Sequence, residues 1–245
     1  MNSTGDNRTM KGMKQILLAG FAALCMVLPA CHTPISGEEF ARWAPLVISP
    51  EPLNTVSYTA EYTQDGALPF TCEVKLASDN RIRRDYVWKD EKGAEKKVSI
   101  VINGTEAIKV EDGKTSIPGI SDTAMARFYS GLILDPAPLI SCVWKQGNVW
   151  DLVPADVPGV ARFYVCVDTD SRYWTDLIVR TGKVEDASGD ASSVFSEYKT
   201  ESGVTYPSRI VTSTNRGAPV TCVIRDVKIN PELPDELFRL PEPNG

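Results

Sequence analysis

Histidine is almost missing from this sequence: His32 is the one such residue among 245. A catalytic triad built on imidazole and any multi-histidine metal centre are thereby excluded from the body of the chain. No G-x-S-x-G elbow, no P-loop and no G-x-G-x-x-G stretch occurs, so hydrolase, nucleotide-hydrolysing and dinucleotide-binding chemistries lack their usual residues. No C-x-x-C pair occurs either, which disfavours structural zinc and thioredoxin-type exchange. Basic charge is in short supply, 26 Lys and Arg against 32 Asp and Glu. That balance argues against nucleic acid, which needs a basic footprint. The carboxylates at Asp168-Thr169-Asp170 and Glu185-Asp186 sit among turn-forming residues and read as solvated loop positions, not as a glycosidase pair or a calcium loop. The expectation is a protein that is not an enzyme and needs no metal, nucleotide or redox cofactor.

What is present begins with one apolar run. Ile16 to Leu28 carries no charge, follows Lys11 and Lys14, and closes on Leu28-Pro29-Ala30-Cys31. Thirteen residues are too few for a bilayer core of ~30 Å, which needs about 20. A basic flank, a short apolar core and small residues after it form the layout of a secretory signal. The polar segment before Met10 makes a long leader, and Met10 or Met13 is an alternative start. Leu28-Pro29-Ala30-Cys31 also resembles the lipobox of bacterial lipoproteins, with Pro29 an unusual occupant. That resemblance implies cleavage before Cys31, lipidation of its thiol and acylation of the new amino terminus. Several chains hold a protein stably where one holds it marginally. The plainer alternative is a secreted protein with a cysteine near its cleavage site. The expected organisation is a signal over residues 1–30, a lipidated tether over 31–37 and a single domain over 38–245. Losing residues 1–30 removes Arg8, Lys11 and Lys14 against Asp6 and moves the formal net charge from −6 to −8.

Of six cysteines, Cys25 leaves with the signal and Cys31 is taken by lipid, so Cys72, Cys142, Cys166 and Cys222 remain. In an oxidising compartment these four are candidates for two disulfides, in any of three pairings. Buried free thiols, packing as small hydrophobes, are the other reading.

Along the body, Ser36 and Glu39 set a capping box. It opens an amphipathic helix carrying Phe40, Trp43, Leu46 and Val47, about three turns long and stopped by Pro50 and Pro52. The period then changes to two. Val56, Tyr58, Ala60 and Tyr62 share a face, as do Phe70 to Leu76 and Ile82 to Trp88 at alternate positions, with turns at Asp65-Gly66 and Asp79-Asn80. Strands over 98–102 and 106–110 follow around Asn103-Gly104, with another turn at Asp112-Gly113. A second helix spans 123–134, capped by Ser121 or Asp122, with Met125, Phe128, Leu132 and Ile133 as its stripe. Strands resume at 142–145, 149–153, 161–167, 173–180, 194–198, 205–214 and 220–229.

About a dozen antiparallel strands in one sheet accumulate twist and tend to curl or split. The expected fold is mainly β with two helices: a curved antiparallel sheet forming an incomplete β-barrel, lidded by the helices. Barrels of this size can hold one small ligand.

The run Tyr198 to Ile210, holding Gly203 and Pro207, and the run Val223 to Phe238, holding Lys228-Ile229-Asn230 and Leu233, resemble the closing strands of the outer-membrane lipoprotein-sorting family, LolA-like and LolB-like. Glu111-Asp112-Gly113-Lys114 ahead of a helix also fits. The likeness covers most of 52–241. It implies an apolar cavity for acyl chains, a lipid or lipidated protein as partner, a possible periplasmic carrier protein, and attachment to the membrane through the N-terminal lipid. It implies a periplasm-facing location; His32 after the cysteine is not the Asp tied to inner-membrane retention, which favours the outer membrane. In the family's carrier an early-strand arginine holds the lid. Arg83 and Arg84 are the candidates here, with outward, solvated arginines as the alternative. Pro136 to Ile140 or Leu68-Pro69-Phe70 is the analogue of the receptor's exposed apolar loop.

Tyr58, Tyr62, Arg84, Trp88, Phe128, Trp144, Phe163 and Tyr173 are the cavity-lining candidates, with Trp150 beside them. A filled core needs the same aromatics, so sequence leaves filled and hollow interiors open. The functional expectation is lipid or lipoprotein trafficking in the cell envelope. The alternative is a non-catalytic scaffold or stress-sensing lipoprotein that binds a protein along an exposed patch or edge.

Overall fold

The computed structural model describes residues 35–134, 140–146, 148–154, 160–181, 191–214 and 217–241. The signal over 1–30, Cys31, the loop 136–139, the turn residues Gly147, Gly182 and Arg216, the pair Glu185-Asp186, and the side chains of Ser121, Asp122, Met125, Ile140, Cys142 and Trp144 lie outside the described residues.

The chain runs β1 (Ile35–Ser36), α1 (Gly37–Trp43), β2 (Thr55–Gln64), β3 (Phe70–Ala77), β4 (Arg81–Lys89), β5 (Glu95–Asn103), β6 (Glu106–Glu111), β7 (Lys114–Ser116), α2 (Ile120–Leu134), β8 (Ile140–Gln146), β9 (Val149–Pro154), β10 (Val160–Val167), β11 (Trp174–Thr181), β12 (Ala191–Glu201), β13 (Val204–Thr214) and β14 (Val220–Ile229), closing in a 3-10 turn at Asp235–Phe238. All the strands join one antiparallel sheet in the order β1-β8-β9-β10-β11-β12-β13-β14-β2-β3-β4-β5-β6-β7. It is an open, curved sheet, with the short strands β1 and β7 at its two edges.

That order explains the second helix. Two meanders, β2 to β7 and β8 to β14, are joined in the middle by β14 against β2. The chain therefore leaves the sheet at one edge after β7 and must re-enter near the other at β8. α2 makes that traverse: fifteen residues at 1.5 Å each span about 22 Å. It lies over the sheet from one half to the other. Ala126 joins the buried cluster of β2–β5, while Phe128 and Leu132 join the cluster built by α1 and β10–β12.

α1 has the expected capping box: the Ser36 hydroxyl accepts from the Glu39 amide at 3.1 Å and the Glu39 carboxylate accepts from the Ser36 amide at 2.8 Å. The helix is two turns long, shorter than its apolar spacing predicts. Ala44, whose backbone is at φ −142°, ψ 74°, precedes Pro45, and the residue before a proline is driven out of the helical region. Leu46 and Val47 thus belong to a bent, non-helical segment after the helix. The β5–β6 loop is Gly104-Thr105, one residue on from the expected Asn103-Gly104, because Asn103 pairs with Glu106. Asp112-Gly113 and Ser202-Gly203 both carry positive φ at their two residues, the turn geometry that matches the twist of a hairpin.

Of the four disulfide candidates, Cys72, Cys166 and Cys222 are free thiols, and the Cys142 side chain lies outside the described residues. Cys72 pairs with Ala60 and Cys222 with Tyr62, on the two opposite neighbours of β2. Strands two apart lie about 9–10 Å apart, beyond the ~7 Å Cα separation a disulfide spans.

Candidate functional site: a cavity between two cores

Two packed cores, one in each half of the sheet, flank a hollow. Under α1 the concave side is filled. Phe40 is fully buried against Trp150 and Trp174, at ring separations of 5.5 and 6.1 Å. The Trp174 indole donates to the Ala44 carbonyl at 2.8 Å. Phe128 of α2 stacks on Phe163 of β10 at 4.1 Å. Between this core and the cluster of β2–β5 lies a partly open cavity of about 320 Å³. β2, β4, β12, β13 and β14 form its floor and walls, α2 covers it with Tyr129 and Ile133, and the segment after α1 adds Leu46 and Val47. Ile210, Ile224, Val227 and Ile229 make much of the lining.

Two irregularities shape this hollow. The first is a bulge in β14. Arg225 pairs with Thr59 and Lys228 with Ser57, so β14 carries one extra residue, with Asp226 at φ 54°. A strand's faces alternate with period two, and one inserted residue exchanges them. Cys222 and Ile224 face the cavity before the bulge, Val227 and Ile229 after it. The bulge therefore keeps the apolar side inward along a strand whose sequence changes phase.

The second is a split between β13 and β14. Their pairing runs only from Arg209↔Val223 to Thr212↔Val220, although β13 starts at Val204 and β14 continues to Ile229. Pro207, which has no amide hydrogen to offer a neighbour, lies in the unpaired part and lines the cavity. The segment after α1 occupies the split: Ile48 and Thr205 exchange both backbone hydrogen bonds at 2.8 Å. Asn230 pins the rest of this strap, its side-chain oxygen accepting from the Asn54 and Thr55 amides at 2.8 and 3.2 Å and its side-chain nitrogen donating to the Pro52 carbonyl at 3.1 Å.

Three of the eight candidates, Tyr58, Tyr62 and Arg84, meet at the cavity wall. Phe128 and Phe163 sit in the filled core. Tyr173 stacks on Tyr198 at 4.1 Å, and Trp88 lies opposite Phe70 near the end of β4. Trp150 packs on Trp43 at 5.0 Å. Alternation along β4 distinguishes the two arginines. Arg83 faces outward, donating to Asp85 at 2.7 Å and to the Leu237 carbonyl at 3.2 Å. Arg84 points into the cavity. The sequence reading missed Tyr129, Tyr206, Ile210 and the β14 residues. Cys222-x-Ile224 followed by Val227-x-Ile229, a run of alternation that breaks phase once, was the available signal.

The site is electrostatically unusual. Burial pushes the phenols of Tyr58 and Tyr62 up, Tyr58 to about 12. It likewise raises the thiols of Cys72 and Cys222, to about 12 and about 11. All four stay neutral at physiological pH. Arg84, by contrast, stays charged, as guanidinium does in proteins. Among the described residues, no carboxylate lines the cavity.

No protein-family model matches the chain, and no curated protein matches it in sequence. Solved structures do resemble it. A LolA superfamily protein from Nitrosomonas europaea superposes with a TM-score of 0.57 at 12% identity, over 84% of this chain and 98% of that one. A putative outer membrane lipoprotein-sorting protein domain from Vibrio parahaemolyticus superposes at 0.60 and 10% identity, over 82% and 93%. A DUF1329 family protein from Desulfovibrio piger gives 0.54 at 9%, over 83% and 94%. The fold is LolA-like.

Proposed function

We propose that this chain is a non-catalytic binding protein of the bacterial cell envelope that holds an acyl chain of a lipid or lipidated protein in the cavity between its two cores, and that Cys31 anchors it to a membrane. The apolar cavity carries the reading. Isoleucine and valine line it, α2 lids it and it is large enough for a small ligand, at the lower end of the ~300–1,000 Å³ typical of ligand sites. The likeness of fold to a lipoprotein-sorting domain supports the same direction, the lipobox-like Leu28-Pro29-Ala30-Cys31 supports a periplasm-facing anchor, and His32 after it favours the outer membrane.

The scaffold reading finds less support. Both edge strands are very short, two and three residues, which is how sheets avoid pairing with other chains. The exposed large apolar side chains among the described residues, Leu68, Ile117 and Val194, are scattered along the chain.

Native mass spectrometry with lipid extraction, on the full chain purified from cell envelopes, tests the binding claim. Co-purified acyl chains are expected. A clean unliganded mass that stays unchanged after incubation with lipids and a lipopeptide would refute it and return the scaffold reading. Cys31→Ser should release the protein from membranes and stop palmitate labelling; unchanged fractionation and labelling would refute the anchor.

A further inference from the structure

Among the described residues that line the cavity, Arg84 is the one that carries a charge. It stands in a row across the inner face of the sheet, Tyr58–Val74–Arg84–Ile100, set by the register of β2 to β5. Its Nε is buried and has no hydrogen-bond partner. The groups that feel its charge are Tyr86 on its own strand, Tyr58 and Tyr62 on β2, Cys72 on β3, Tyr129 on α2 and Cys222 on β14. These are phenols and thiols, held neutral by burial. The nearest acid on the same strand, Asp85, faces the other side and is engaged by Arg83 at 2.7 Å and by the Ser99 hydroxyl at 2.6 Å.

A cation kept in an apolar pocket without a counter-charge is costly to the folded protein. Nothing in the fold requires it: Val74 and Ile100, its register neighbours, show that an aliphatic residue fits the same row. Guanidinium presents a planar fork of donors matched to a carboxylate or a phosphate, and the tyrosine hydroxyls beside it are neutral donors for further oxygens. Ile224, Val227 and Ile229 on β14 line the cavity on the far side of β2 from Arg84. At about 320 Å³ the cavity has room for one alkyl chain, not for several.

We propose that Arg84, with the hydroxyls of Tyr58 and Tyr62, is an anion receptor, and that the cavity's ligand is an amphiphile with one alkyl chain and an anionic carboxylate or phosphate head. This inference rests on the acyl-binding reading above and narrows it to a ligand class. The head neutralises Arg84 while the chain takes the Ile224–Ile229 side. Arg84 selects against cations, because a cationic head would meet a fixed like charge with no acid among the described lining residues to offset it.

The test uses the full chain and four ligands sharing a twelve-carbon chain: dodecanoate, dodecyl phosphate, dodecanol and dodecyltrimethylammonium, all below their micellar concentrations, with inorganic phosphate as a fifth. Binding is read by titration calorimetry on the wild type, Arg84→Met, Arg84→Lys and the outward-facing control Arg83→Met. The two anionic amphiphiles should bind about tenfold or more tighter than dodecanol, as expected for losing a charge-assisted bond, with the cation weakest and inorganic phosphate negligible. Arg84→Met should collapse that ratio towards one, Arg84→Lys should keep part of it and Arg83→Met all of it. If all four amphiphiles bind alike to the wild type, the receptor is refuted while the acyl cavity stands. If no amphiphile binds, both fall. If inorganic phosphate binds as tightly as dodecyl phosphate, the site is for a small oxyanion and the amphiphile class is refuted. The wild-type comparison decides even if Arg84→Met does not fold.

Discussion

At the scale of single residues, β4 shows how alternation assigns opposite roles to adjacent arginines. Arg83 belongs to an outward ion-pair group with Asp85, while Arg84 faces the hollow. Although burial alone would raise the Asp85 carboxyl, hydrogen bonds from Arg83 and Ser99 hold it below the usual carboxylate range. A depressed folded-state pKa gives stability that is present above the unfolded value of ~3.9 and is lost as pH falls through the folded value. Asp85→Asn should therefore lower stability at neutral pH by on the order of 1–2 kcal/mol, and urea unfolding should show that gap closing below about pH 4. A gap that persists undiminished at pH 2 would contradict the assignment. The buried thiols give a second check. With Cys72 and Cys222 held protonated by burial, and the thiolate being the reactive form, both should resist iodoacetamide in the native protein at pH 7.5. Cys222, at the cavity wall, should be labelled more slowly still when an alkyl ligand is bound. Labelling of Cys222 as fast as that of a free thiol would show a hydrated site.

At the scale of elements, the period-two runs were legible in the sequence because each strand turns one apolar face to the core. Among the described residues, β2–β6 and β8–β14 lie within a few residues of the runs, while the short edge strands β1 and β7 correspond to none. The missed features depend on partners distant in sequence. Spacing along a chain carries no information about which strand lies between Cys72 and Cys222, so the sequence leaves three pairings open and it is the register that separates these two thiols. α1 was read as too long because Leu46 and Val47 keep helical spacing past Pro45. They are apolar because they line the cavity from the strap, not because the helix continues. The β14 bulge was written in the sequence only as a phase change, and its positive φ at Asp226 falls on a residue type that tolerates the left-handed region. Deleting Asp226 removes the extra residue, so regular pairing with β2 should put Val227 opposite Tyr58 and keep Val227 and Ile229 inward. The expected result is alkyl-ligand binding retained with the far-ultraviolet spectrum unchanged. Loss of binding in a folded variant would show that the shape of the bulge itself, and not only the phase of β14, builds the site. The α2 traverse is a packing matter of another kind: Phe128→Ala removes a fully buried ring stacked on Phe163 and should cost about 3–5 kcal/mol, seen as a lower denaturation midpoint.

For the whole molecule, one topological fact organises the rest. Two meanders meet at β14 and β2, so the connection between them has to cross the sheet, and the crossing helix packs on both halves and roofs the cavity between them. The question the aromatics left open thus has a divided answer: a ring-rich core under α1 and an aliphatic core on β2–β5 are filled, and the space between them is the cavity. The split between β13 and β14, closed only by the Ile48–Thr205 pair and the Asn230 clasp, sits beside that hollow. The most direct test of an acyl chain in it is a filtered nuclear Overhauser experiment on methyl-labelled protein with carbon-13 dodecanoate. The expected result is contact between chain methylenes and the methyl groups of Ile133, Ile210, Ile224 and Ile229. Contacts confined to exposed Leu68 and Ile117, or none under saturating ligand, would contradict it.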